Sequence, residues 1–337
     1  MGKKCNCNIL KGKEYVFEDD RPFLSCHAPT LVELDDGTTI VSWFGGTAEK
    51  NPDVAIWYSK RVNGKWSTPK IAADEEGLAT WNPVLFNAPD GRIVLFYKSG
   101  ENDNEWYTKY TVSHDKGESW TTPEELVPGD IGGRGPVKNK PIILHDGTWL
   151  APASLEFEYW DSFVDISKDN GKTWIASSLV PVNHKEFCGK GVIQPTLWES
   201  EPNNIHMLLR STCGSIYRSD SSDGGKTWCE MYKTSLPNNN SGIDAVKLKD
   251  GIIALVYNPV SENWGPRTPL VVSLSEDNGV TWPYTCVLED DEGGGEYSYP
   301  AIVAVDNQIS IAYTWKRQRI AYVRCAVEDI ISCCHSE

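Results

Sequence analysis

Positive charge is scarce in this 337-residue chain: 32 Lys and Arg stand against 47 Asp and Glu, for a net charge of −15. No basic stripe exists to neutralise a run of phosphates, so nucleic acid is excluded as an expected partner. No stretch of about 18 apolar residues occurs, and the sequence predicts no membrane span. The N-terminal Met1-Gly-Lys-Lys-Cys-Asn-Cys-Asn lacks the apolar run of a secretory leader, which makes a cytoplasmic location the expectation. Gly2 fits no myristoylation signal, because Asn6 stands where Ser or Thr is wanted. The 10 cysteines form no paired CxxC motifs of metal-binding type, and free thiols are the expected state. A sustained helical period is missing as well. What is plentiful is apolar and aromatic surface: 40% hydrophobic residues with 14 Trp suffice for a packed core.

That surface is arranged periodically. Ser113, Ser167, Ser221 and Ser275 each open a Ser-x-Asp-x-Gly-x-Ser/Thr-Trp motif, one every 54 residues. A worn copy starts one period earlier at Ser59 and ends in Asn63-Gly64-Lys65-Trp66. A constant period of this length marks a repeat array whose units bury their faces only against their neighbours. Within each motif Asp accepts backbone N–H bonds, Gly supplies positive φ and Trp packs on the sheet. These aspartates are therefore read as turn staples and not as catalytic groups.

A second signal runs in phase with the first. Short apolar runs are broken at Asp36-Gly37, Asp90-Gly91, Asp146-Gly147, Asn203-Asn204, Asp250-Gly251 and Asp306-Asn307. Such pairs flanked by β-branched and aromatic residues predict hairpins. Each hairpin leads to a third strand, and the motif joins that strand to a fourth. The expectation is an all-β, six-bladed β-propeller in one domain over residues 1–337, with blades from about 14 to 330. The sixth blade lacks the motif. Ile320–Cys325 is its expected third strand, and the segment around Glu14 is expected to close the ring.

The motifs are Asp boxes, and from about His27 to Arg324 the chain resembles the sialidase superfamily. That resemblance implies a glycosidase that releases a terminal acidic sugar from a glycan, with no metal or organic cofactor. It places Asp53 as general acid/base and Arg210 and Arg267 on the substrate carboxylate. Tyr297, in Glu296-Tyr-Ser-Tyr299-Pro300, is favoured as nucleophile, with Tyr299 as its rival. Two positions depart from the family pattern. His27, in Ser25-Cys-His-Ala-Pro29, stands where the family has its first arginine, and Gln194 stands nearest the glutamate that polarises the tyrosine. Glu186 lies just upstream of Gln194 as a possible substitute.

Further polar residues open the inner strands: Lys138, Lys140, Asp244 and Tyr299 are expected to converge with His27 and Gln194 on one channel mouth. Several cations there would suit an anionic sugar, since guanidinium forks pair bidentately with carboxylates. Trp43, Trp57, Trp81, Trp106, Trp160 and Trp315 are read mostly as core, with one or two left to stack on a sugar. Two alternatives stay open: a rhamnosidase or lyase acting on uronic-acid-containing glycans, and a non-catalytic glycan-binding propeller.

Overall fold

The computed structural model describes residues 3–5, 12–102, 104–291 and 293–336. Gly2, Asn6 and Cys7 lie outside the described residues. Six antiparallel sheets follow one another along the chain. Their inner strands are Ser25–Glu33, Ala79–Asn87, Ile142–Ile143, Val192–Glu201, Asp244–Lys247 and Tyr297–Val305. The inner strands of blades 6 and 1 touch, which closes the ring into a six-bladed propeller.

The hairpins form for the reason their sequence suggests. Gly37, Gly91, Gly147 and Gly251 all have positive φ. The preceding aspartate caps the turn, as when Asp36 Oδ1 accepts the Thr38 N–H at 3.0 Å. The Asp boxes are staples of the same kind. Asp223 Oδ1 accepts the Lys226 and Thr227 N–H groups at 3.0 Å each, and its Oδ2 takes the Thr227 hydroxyl at 2.7 Å. Ser221 Oγ donates to Asp223 and accepts the Gly225 N–H at 3.0 Å. A Cβ on Gly225 would lie 2.9 Å from Leu150 of the preceding blade, so the box also sets blade-to-blade spacing. The worn copy is instead a two-residue hairpin at Asn63-Gly64, both with positive φ.

Between blades the core is apolar. Trp43, Trp149 and Trp198 are among its largest fully buried side chains. Truncating such a ring costs ~3–5 kcal/mol, so each blade interface is a substantial part of the stability. The strand Arg319–Ala326 is the third of blade 6, and Glu14–Tyr15 pairs with it as the fourth.

Three features depart from the sequence reading. Lys3–Cys5 adds a parallel strand to the outer edge of blade 5. Val327–Ser336 is a helix, held by Val327, Ile330 and Cys334 on one buried face. Ten residues are too few for that period to stand out. Cys188 and Cys213 are joined as a disulfide with Cα atoms 5.6 Å apart, contrary to the expectation of free thiols throughout. Cys26, Cys229, Cys286, Cys325, Cys333 and Cys334 are thiols.

Candidate active site

The entry to each inner strand is built in the same unusual way. Ala28, Asn82, Lys138, Gln194, Asn240 and Tyr299, one per blade, all have positive φ, between 46° and 66°. Four of them precede proline: Pro29, Pro83, Pro195 and Pro300. At these four the strand pairing skips, between His27 and Thr30, Trp81 and Val84, Ile193 and Thr196, and Ser298 and Ala301. Proline suits a bulge because no ladder donor is lost there. A left-handed L-residue costs about 1 kcal/mol, and strain repeated around one axis marks a constructed site.

The bulges bring four of the expected residues together. Arg210, buried at the end of the second strand of blade 4, donates from Nη1 to the Tyr299 hydroxyl at 2.7 Å and to Gln194 Oε1 at 3.0 Å. Its Nε donates to Asn240 Oδ1 at 2.8 Å. The His27 ring lies 4.2 Å from the Tyr299 ring, centroid to centroid. The Thr314 hydroxyl accepts the Ala28 N–H at 3.1 Å and shares a hydrogen bond with His27 Nδ1 at 2.9 Å. Burial holds His27 well below the usual imidazole pKa, and the charges of Arg317, Arg267, Arg210 and Lys138 lower it further. The imidazole is therefore neutral, with the guanidiniums of Arg210, Arg267 and Arg317 nearby.

Arg267 lies beside the same phenol, its guanidinium carbon 5.4 Å from the Tyr299 ring centre. Its Nη1 donates to Glu296 Oε1 at 2.7 Å. Glu296 is tugged both ways: burial raises its pKa, but the charges of Arg267 and Arg317 outweigh that and keep it ionised.

Below this layer the structure corrects the sequence reading. Lys138 is fully buried, its ammonium bonded to Asn139 Oδ1 and the Ile243 carbonyl, both at 2.9 Å, and to the Pro300 carbonyl. Burial pushes its pKa down to about 7. Lys138 is a brace under Tyr299 that joins blades 3, 5 and 6, with its donors spent on one side-chain amide and two backbone carbonyls. Lys140 bonds both Asp244 oxygens at 2.9 Å, and Asp244 also accepts the Thr196 hydroxyl at 2.8 Å and the Ile302 N–H at 3.0 Å. Lys140 lines a cavity with Leu31, Leu85, Val246 and Val303, at the hairpin end of the inner strands. The pair is thus a cross-link of four blades below Tyr299, one layer beyond Lys138 and out of hydrogen-bond contact with the phenol.

The two tyrosines lie in different surroundings. Tyr297, favoured by the Tyr-Ser match, is 4% exposed and packs into the core shared by blades 5 and 6. Its hydroxyl donates to Asp291 Oδ2 at 3.1 Å, and burial raises its pKa, with that bond adding to the rise. Strand alternation alone would put Tyr297 and Tyr299 on one face; the bulge between them turns Tyr299 to the axis. Glu186 is exposed and lines an outer groove with Phe187, Tyr217 and Met231, away from the residues around Tyr299.

Asp53 sits on the loop between the second and third strands of blade 1. Its Oδ2 accepts the Thr47 N–H at 2.8 Å and the Thr47 hydroxyl at 2.6 Å, and these bonds lower its pKa. Glu49 of that loop ion-pairs with Arg317, whereas Asp53 lines a cavity with Arg21, Phe23, Leu24 and Trp57 and, among the described residues, makes no hydrogen bond to those around Tyr299. Sequence reasoning passed over Trp264, which is 63% exposed with its ring 5.6 Å from the Arg210 guanidinium. Its sequence signal is a tryptophan next to glycine in a loop between strands. Among the described residues no cluster of His, Cys, Asp or Glu is placed to hold a metal ion, and no helix is long and apolar enough to cross a membrane.

Comparison with known proteins identifies the family and the fold. The BNR repeat-like domain model matches residues 37–311. A sialidase of Bacteroides fragilis (strain YCH46) is 25% identical over 297 residues, covering 83% of this chain and 50% of that protein. A sialidase of Clostridium perfringens is 24% identical over 191 residues, covering 45% of this chain and 49% of that one. The chain thus spans about half the length of these curated relatives. Among solved structures, the NanB sialidase of Streptococcus pneumoniae superposes with a TM-score of 0.76 at 15% identity, over 94% of this chain and 70% of that one. A protein of unknown function from Dyadobacter fermentans DSM 18053 gives 0.73 at 18%, over 93% and 97%. At such identities the structural likeness carries the fold.

Proposed function

The chain belongs to the BNR repeat-like family of sialidase-type propellers, and on that footing we propose that it hydrolyses a terminal acidic sugar from glycans. The observation that carries this reading is the shared hydrogen bond of Arg210 to Tyr299 and Gln194, with the guanidiniums of Arg267 and Arg317 nearby. Arg267, with Arg210 behind it, supplies the positive field that an acidic sugar requires. Tyr299 attacks the anomeric carbon as the glycosidic C–O bond breaks, and its phenol proton passes to water; the oxygen starts uncharged, which avoids repulsion from the sugar carboxylate. Arg210 stabilises the phenolate as its charge develops, because its N–H already points at the oxygen. Gln194 keeps Arg210 in place without competing for the proton. His27, neutral, contributes shape and a ring face to Tyr299.

Asp53 is the proton donor to the leaving oxygen and then the base that activates water. Thr47 keeps it ionised in the resting site, so the donor form requires a sugar that excludes water from the loop. Trp264 offers an exposed ring to the sugar face.

The test is release of fluorophore from an α-sialoside, comparing purified protein with Tyr299→Phe and Arg267→Ala variants. Turnover abolished by both supports the reading. No turnover from folded protein overturns it. Binding of the same glycoside without turnover would then favour the glycan-binding propeller, in which Gln194 leaves the tyrosine without a base.

A further inference from the structure

We propose that Arg317 takes the place of the arginine absent at position 27, and that with Arg267 it grips the carboxylate of the acidic sugar. The inference rests on the reading of this mouth as an acidic-sugar site.

His27 is buried and neutral, so it brings no charge to the blade 1 position. Arg317 arrives from the neighbouring blade, in the turn between the strands Gln308–Trp315 and Arg319–Ala326 of blade 6. Its carbonyl accepts the Cys26 N–H at 2.9 Å, which pins that turn to the residue preceding His27. Lys316 and Arg317 both have positive φ, at 53° and 52°. The turn is fixed further by the Lys316 N–H on the Glu296 carbonyl at 2.7 Å and the Gln318 N–H on the Trp315 carbonyl at 3.0 Å. A strained turn fastened at this many points delivers its side chain to a defined place.

That place is next to Arg267. Arg267 Nη1 and Arg317 Nε both donate to Glu296 Oε1, at 2.7 and 3.1 Å, so two guanidiniums converge on a single carboxylate oxygen. Arg317 Nη1 donates to Glu49 Oε2 at 2.6 Å from the opposite side. Each guanidinium is thus aimed by an acid at its back. Nη2 of Arg267 and Nη2 of Arg317 make no hydrogen bond among the described residues. Both side chains keep access to solvent, at 17% and 29% exposure. An arginine whose orientation is already fixed loses little entropy when it binds a carboxylate, and its planar fork suits that ligand. Glu296 and Glu49 are positioning residues; Arg317 meets the ligand.

The experiment measures KM and kcat of wild type, Arg317→Ala and Arg317→Lys on a fluorogenic α-sialoside and on its carboxyl methyl ester. Calorimetric titration with N-acetylneuraminic acid and with glucuronic acid runs beside it. Arg317→Lys keeps a cation for Glu296 and Glu49, so it separates lost recognition from a misfolded loop. The expected result is a KM raised about tenfold or more in Arg317→Ala with kcat little changed. Arg317→Lys should fall in between, and the ester should show no difference among the three proteins. Cleavage by wild type with the same KM in Arg317→Ala overturns the inference and leaves the proposed function standing. If wild type binds an acidic sugar through Arg317 but never cleaves, hydrolysis falls and the inference stands. Absence of both binding and cleavage overturns the two together.

Discussion

Arg210 Nη1 donates a 2.7 Å hydrogen bond to the phenol oxygen of Tyr299, across the axis from blade 4 to blade 6. A cation fixed on that oxygen stabilises the phenolate, and the blade architecture leaves neither partner free to turn away. Much of the expected chemistry follows from this contact.

Replacing the two tyrosines separates their parts. Tyr299→Phe removes the attacking oxygen and should lower kcat by about 10³-fold or more, with the fold intact. Tyr297→Phe removes the hydroxyl that bonds Asp291 and meets Lys316 and should cost ~1 kcal/mol of stability, with turnover kept. Steady-state kinetics and urea unfolding of both variants check the assignment. Loss of activity in Tyr297→Phe alone would reverse it.

Gln194→Glu places a carboxylate 3.0 Å from the Arg210 nitrogen that also holds Tyr299. A general base contributes about 10²–10⁴-fold where a proton must leave, so the variant should turn over faster than wild type. A rise in kcat with a new acidic limb in the pH profile is the expected result. An unchanged or lower kcat would mean the phenol proton leaves by another route.

Lys138 ties stability to alkaline pH. Its folded pKa is depressed by burial to about 7 from an ordinary 10.5, so between those values the unfolded chain binds the extra proton. Stability from this group therefore rises as pH climbs through that window and is lowest below it. Urea midpoints should climb more steeply from pH 7 to 10 in wild type than in Lys138→Met. Parallel curves would show that Lys138 does not titrate there.

The Asp boxes behave in the opposite sense. Burial pushes Asp223 up, but bonds from Thr227, Ser221 and Lys226 prevail and hold it at about 2. Its contribution is complete above the ordinary carboxylate value near 4 and is lost as pH falls toward 2. Asp223→Ala should lower Tm by about 1.5–3 °C at neutral pH, equivalent to ~1–2 kcal/mol, and leave kcat unchanged. A large loss of kcat would connect the box to the chemistry.

The blades were legible in the sequence because turn chemistry is local. Asp, Gly and Trp at fixed spacing determine a turn wherever it occurs, and the 54-residue period counts the turns. The site was legible only in outline. Arg210 and Arg267 stand out because they fit strand ends where the resembled family has arginines, and both lie beside Tyr299. Which of Tyr297 and Tyr299 faces the axis depends on a bulge, and bulges leave no compositional mark beyond Pro300. Lys140 and Asp244 deceived for a related reason: the sequence shows that they lie on inner strands but not how far from the mouth. The disulfide was hidden because Cys188 and Cys213 meet only when two loops of blade 4 fold together. The closing helix went unseen because its apolar face has only three buried positions, two of them short side chains.

Covalent trapping tests the central claim most directly. Incubation with a 3-fluorosialosyl fluoride, followed by proteolysis and tandem mass spectrometry, would locate any sugar bound to the protein. The account predicts one sugar adduct, on Tyr299, that Tyr299→Phe abolishes and Tyr297→Phe does not. An adduct on Tyr297, or none in protein that cleaves an α-sialoside, would contradict it.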